Sequence, residues 1–175
     1  MSEQLLREVI LISIVFAIVG AVMFFLRNAP LTTGQKVEKA LAGLIGGFLV
    51  MAGTVKFFDP FTTMFTSQIA YSGLPFPTLS RWAGQLGEIS AGALMLLVLI
   101  RGSKMTNIVA DKLMLAGTGL TMIIMTVAIY VHLNPNVPAT VLPLQSKPPV
   151  MTLIVMALTA FNFYLYRRNP QQRIG

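Results

Sequence analysis

Apolar residues run almost unbroken through five stretches, at about 9–26, 40–58, 78–100, 111–133 and 149–166, and charged residues collect between them. A hydrocarbon core about 30 Å thick is crossed by roughly 20 residues of α-helix, a length each stretch meets or approaches. Backbone surrounded by lipid must satisfy its own hydrogen bonds, so each stretch is predicted to be a helix. The pattern therefore predicts an all-α membrane protein built as a bundle of five spans. Glu3, Arg7 and Glu8 precede the first stretch, where a secretory signal would carry a positive segment, and the apolar run is too long for such a signal. Residues 27–30, Arg-Asn-Ala-Pro, offer no cleavage site, so the first stretch reads as an uncleaved span.

The connections carry their own patterns. Phe61, Met64, Phe65 and Ile69 recur at helical spacing until Gly73 breaks the run, which predicts a short amphipathic helix near 61–72. It is too short to cross, so it lies in the interface or folds back over the bundle. Residues 73–77, Gly-Leu-Pro-Phe-Pro, predict a rigid turn. Five prolines at 135, 138, 143, 148 and 149 predict an outer loop over 134–149 without regular structure. In the second stretch, the spacing Gly43-x-x-x-Gly47 predicts a place where a neighbouring helix comes close. No internal repeat or pore-lining polar stripe stands out.

Composition sharpens this picture. Of 175 residues, 55% are hydrophobic and only 11% charged, which excludes an ordinary soluble domain. A net charge of +7 in a soluble chain would point to nucleic acid. Here the basic residues flank the apolar runs, so they read as topology determinants and no nucleic-acid partner is expected. Arg27, Lys36, Lys39, Arg101, Lys104, Lys112, Arg167, Arg168 and Arg173 fall on one side of a five-span arrangement, and Arg7, Lys56, Arg81 and Lys147 on the other. The bias places the amino terminus outside and the carboxyl terminus in the cytoplasm. Phe161, Phe163, Tyr164 and Tyr166 beside Arg167 and Arg168 predict an aromatic belt at the cytoplasmic interface, and Trp82 an anchor at the opposite one.

Cysteine is absent, so this chain alone makes no disulfide, covalent haem attachment or cysteine-ligated cluster. Its single histidine cannot supply a bis-histidine haem, and no metal site is expected. Candidate chemistry instead gathers in the outer half. Lys56 and Asp59 close the second span, Tyr130 and His132 close the fourth, and Glu88 lies seven residues past Arg81 in the third, about 10 Å deeper. An ionised side chain at that depth costs several kcal/mol unless paired, so Glu88 is expected to face inward and find a partner, most plausibly Lys56. Three readings of Glu88 compete. It forms a structural ion pair; or it belongs to a site for a lipophilic ligand such as a quinone, with His132 exchanging protons and Phe57, Phe58, Tyr71 and Trp82 as walls; or it sits in a proton or solute pathway. His132 by itself reads as a partly hydrated interfacial residue.

Taken in order, Gly46-Gly47, Gly53 with Lys56-Phe57-Phe58, Ser72-Gly73-Leu74-Pro75, Ala83-Gly84, Gly87-Glu88 and Gly92-Ala93-Leu94 resemble the DoxX-like family of small bacterial membrane proteins. The resemblance covers about residues 41–166. It implies a four-helix core over about 37–168 in the bacterial cytoplasmic membrane, preceded by an additional helix in residues 1–30. Some members are associated with quinone-linked oxidation of reduced sulfur compounds or with terminal oxidases, and Lys56 and Glu88 match the family's polar positions. The implied function is a small subunit of a quinone-linked membrane redox complex, with other membrane or periplasmic subunits as partners. Transport of a proton or small solute, and a scaffold or assembly role, are the alternatives.

Overall fold

Local capping signals set the helix boundaries in the computed structural model, which describes residues 3–169. Thr32 and Gln35 form a reciprocal cap. The Thr32 hydroxyl accepts from the Gln35 N–H at 3.3 Å, and the Gln35 side-chain oxygen accepts from the Thr32 N–H at 2.8 Å. Gly73, with φ of 68°, ends the short third helix in the left-handed region that favours glycine. Pro77 opens the next helix, where its missing N–H costs nothing.

The resulting α-helices are α1 (Glu3–Leu26), α2 (Thr33–Val55), α3 (Phe61–Ser72), α4 (Pro77–Arg101), α5 (Asn107–Leu133) and α6 (Val150–Arg168). No strand occurs among the described residues. Helices α2, α5 and α6, and α4 together with the turn that carries it to Lys104, are long and apolar enough to cross a membrane. The chain is thus an all-α, multi-pass membrane protein.

Helices α2, α4, α5 and α6 close into a ring in which each packs against two others. Ile45, Leu49, Ala91, Met95 and Met114 form the centre of its core. Helix α1 lies outside this ring against α2, with Glu8 and Val15 turned inward and Ile10, Ile14, Phe16 and Ile18 exposed. One end of the bundle carries α3 and the 134–149 loop; the other, the basic end, carries Arg27, Lys36, Arg101, Lys104, Arg167 and Arg168. Arg173 lies outside the described residues.

Helix α3 takes the second of its two expected dispositions, folding back against α4, α5 and the loop. The loop itself departs from expectation. It contains two short 3-10 turns, Ala139–Val141 and Pro143–Gln145, and its Val137 and Leu142 are fully buried. Proline forbids a long ladder but fits the first position of such a turn. The loop is also tied down by side chains, with the Gln68 amide donating to the Val141 carbonyl and the Lys147 ammonium to the carbonyls of Asn134 and Val137.

The glycine expectation is corrected in its register. Gly47 faces open space, and a Cβ on Gly43 would make only an ordinary contact with Leu99. The close approach lies on the other glycines. A Cβ on Gly92 would stand 2.5 Å from the Gly46 carbonyl oxygen, and one on Gly53 2.8 Å from the Gln85 carbonyl oxygen. At these glycines the backbones of α2 and α4 oppose each other directly, with Val50, Ile89 and Leu96 packed against the same points. Gly92→Ala is expected to lower stability by about 1–3 kcal/mol, as overpacking does, while Gly47→Ala stays within about 0.5 kcal/mol. Thermal unfolding of both variants in the same detergent checks the contrast.

Candidate functional site

Contact through Gly53 brings the end of α2 against the first half of α4, and this positions the site. Lys56 follows directly as the cap of α2, while Glu88 lies on the buried face of α4 with Gln85, Ala91, Gly92 and Met95. The Lys56 ammonium donates to Glu88 Oε2 at 2.5 Å, and the two side chains retain 17% and 11% exposure. Lys56 Nζ also stands 4.0 Å from the centre of the Phe65 ring, which α3 supplies. One hydrogen of the ammonium is committed to Glu88; the others remain available to a further acceptor.

This ion pair lines a cavity of about 480 Å³, within the range of about 300–1,000 Å³ usual for small-molecule sites. Its wall is mostly apolar, including Phe48, Met51, Phe61, Phe65, Ile124 and Val155, and every α-helix contributes. Glu8, Gln68, Thr152 and His132 supply further polar groups. Glu8 reaches the site from α1, where its Oε2 accepts from the Leu144 N–H at 2.5 Å and so joins α1 to the loop.

Of the five polar residues expected in this half, three line the cavity and two do not. Asp59 accepts from the Thr63 hydroxyl at 2.8 Å on the exposed side of α3. Tyr130 donates to the Ser72 carbonyl at 3.1 Å, and Asn134 donates to the same oxygen at 2.8 Å, so both fasten α5 to the end of α3. His132 is buried, not half hydrated, because the 134–149 loop covers it. Its Nδ1 lies 3.3 Å from the Lys147 carbonyl, which can only accept, so the ring proton sits there and Nε2 is left to face other groups.

One expectation of the site is overturned. Phe57, Phe58, Tyr71 and Trp82 do not wall the cavity; they are exposed on the surface, where Phe57 and Trp82 pack on each other at 6.1 Å. Glu88 and His132 both line the cavity, at different depths. Gly117 packs on Ala91, and Gly87 on Leu120 and Ile124, so the backbone of Glu88 stands about level with Thr121, eleven residues before His132. That backbone offset is about 16 Å along the axis.

The structure also adds residues that sequence patterns did not single out. On α6 the buried side chains are Thr152, Val155, Thr159, Asn162 and Tyr166, and on α5 they include Thr118 and Thr121. A polar stripe therefore runs down the inside of the ring, where none was recognised. Its signal was the seven-residue recurrence of Thr152, Thr159 and Tyr166 and of Val155 and Asn162, half concealed by the apolar residues between them. Tyr166 is accordingly not part of the aromatic belt: it is buried and bonds to Asp111 at 3.0 Å, while Phe161 and Tyr164 remain exposed. Gln85, fully buried, has no hydrogen-bond partner for either side-chain atom. Among the described residues no three His, Cys, Asp or Glu side chains gather as a metal would require.

The chain matches no family model, no curated protein and no solved structure.

Removing one member of a part-buried pair leaves the other charged without a partner. Glu88→Ala is expected to cost about 3 kcal/mol, and Lys56→Met combined with Glu88→Leu is expected to recover most of that loss. A double-mutant cycle read by thermal unfolding checks the coupling.

Proposed function

We propose that this chain is a small multi-pass subunit of a quinone-linked membrane redox complex, whose part is to hold a lipophilic ligand with a hydrogen-bonding head group. The observation that carries the reading is the Lys56–Glu88 pair set into the wall of an otherwise apolar cavity among membrane-spanning helices. A structural ion pair alone does not require a cavity beside it. Apolar walls suit a hydrocarbon tail, and the uncommitted hydrogens of Lys56 suit a carbonyl oxygen. Quinones combine both features, and a quinone, when bound, would supply the electron-carrying chemistry. The chain's own residues would bind and orient it: Lys56 donating to a carbonyl, Glu88 holding the ammonium in place, and Phe48, Phe61 and Phe65 enclosing the apolar part.

The proposal extends to the surroundings. Four helices of the ring form a DoxX-like core, α1 is an added fifth span, and the basic end faces the cytoplasm of a bacterial cell, following the excess of Lys and Arg there. With Ile10, Ile14, Phe16 and Ile18 outward, α1 meets lipid or a neighbouring subunit. Native mass spectrometry of the protein extracted from its own membrane reads partner subunits and bound lipophilic molecules together.

Binding is tested directly in nanodiscs by titrating a short-chain benzoquinone and following quenching of Trp82, the single tryptophan. Saturable binding is expected. Ala52→Phe, which fills the cavity, should abolish it, and Lys56→Met with Glu88→Leu should weaken it about tenfold, the equivalent of one hydrogen bond of about 1.4 kcal/mol. Equal binding by wild type and Ala52→Phe would remove the cavity from consideration.

A further inference from the structure

The cavity beside the ion pair is covered at its end and open at its side. Helix α3 and the 134–149 loop lie over the end, fastened by Gln68, Tyr130 and Asn134. Of the five wall residues that also stand exposed on the outside of the bundle, Pro75, Ala83, Ile123 and Val127 border one seam, between α4 and α5; the fifth, Pro143, lies in the loop. Ile123 is 64% exposed and Val127 41%, so side chains that line the interior also face the surroundings.

The packing of α4 on α5 accounts for the opening. Gly117 sits against the Ala91 carbonyl and Gly87 against Ile124, so the helices stay close along this stretch. One turn nearer the loop, α4 presents Ala83 and α5 presents Val127 and Ala128, and the cavity reaches between them. Outside the seam lies a second, shallower hollow of about 340 Å³, lined by Gly73, Thr126 and Tyr130 and, in common with the cavity, by Leu74, Pro75 and Val127. The Tyr130 hydroxyl donates to the Ser72 carbonyl and so braces the turn that forms the rim. Cavity and hollow make one largely apolar path leading outward from Lys56. It opens six residues in from Pro77 and from Leu133, about 9 Å from the loop-side ends of α4 and α5, at the depth of lipid chains.

We propose that this path is a chain site: the cavity takes its ligand sideways from the lipid leaflet at the loop end, with the head group at Lys56 and Glu88 and an alkyl or isoprenoid chain running out between Ala83 and Val127 into the outer hollow. An apolar hollow open to hydrocarbon is filled by chains, because water finds no polar partners there and the lining atoms gain dispersion contacts. A ligand arriving from water would instead have to displace α3 or the fastened loop. The placement of the head group rests on the quinone reading, whereas the chain path rests on the seam alone.

Two measurements read the two parts separately. In nanodiscs containing a phospholipid with an alkyl diazirine at the end of its acyl chain, irradiation attaches the chain preferentially to carboxyl groups. Glu88, on the buried face of α4, is expected to carry an adduct in the wild type, located by peptide mass spectrometry, and to lose most of it in Val127→Phe, which narrows the seam. An unlabelled Glu88, or equal labelling in both proteins, would overturn the chain path whatever binds at Lys56. Should Val127→Phe fail to fold, Ala83→Phe narrows the seam from α4 and serves in the same comparison. In the second measurement, Val127→Phe is expected to weaken binding of a decyl-substituted benzoquinone about tenfold, the equivalent of roughly two buried methylenes, and that of a short-chain benzoquinone less. Equal weakening of the two ligands would also overturn the path. If the wild type binds neither quinone while Glu88 is labelled, the quinone reading falls and the chain path stands.

Discussion

Everything at the loop end depends on how closely α2 approaches α4. At Gly46, Gly53 and Gly92 backbone meets backbone, without the side chain that would otherwise hold the helices apart at those points. Only then can Lys56, at the very end of α2, lean inward and reach a carboxylate in the body of α4. The two charges are tolerated in an apolar setting because each supplies the other's partner, and Phe65 adds its ring face to the ammonium. Close packing on one side of the pair and open space on the other make a polar point on an apolar wall.

Around that point the remaining elements act as walls and fasteners. Helix α3 and the 134–149 loop cover the end of the ring, held by hydrogen bonds from Gln68, Tyr130, Asn134 and Lys147 to backbone carbonyls. Satisfying carbonyls in this way lets irregular backbone lie over an apolar cavity without exposing unpaired polar groups. Helix α1 adds one more tie, Glu8 to the Leu144 N–H, and otherwise leaves an apolar face outward. Buried polar atoms without a partner among the described residues occur in both halves, on Arg81 and Gln85 of α4 and on Thr118, Thr159 and Asn162 of α5 and α6.

Much of the architecture was legible in the chain itself. Five long apolar runs, a twelve-residue amphipathic segment and the glycine and proline stops are consequences of helix geometry and of lipid as solvent, which act residue by residue. α3 in particular begins and ends at the residues its periodicity marks. The inward direction of Glu88 and its pairing with Lys56 were also legible, since a carboxylate in lipid has few alternatives.

What only the tertiary structure decided is which faces meet. The second span contains several glycines, and sequence spacing favoured Gly43 and Gly47, but the rotation of α2 about its axis puts Gly46 and Gly53 at the contact. That rotation is the sum of all side-chain contacts around the ring and is written in no single motif. The same holds for His132, buried by a loop distant in sequence, for Tyr166, drawn from a belt into the core by Asp111, and for the threonines of α5 and α6. Threonine and asparagine are mild enough to sit on any face of a membrane helix, so their meaning appears only when neighbouring helices define an inside.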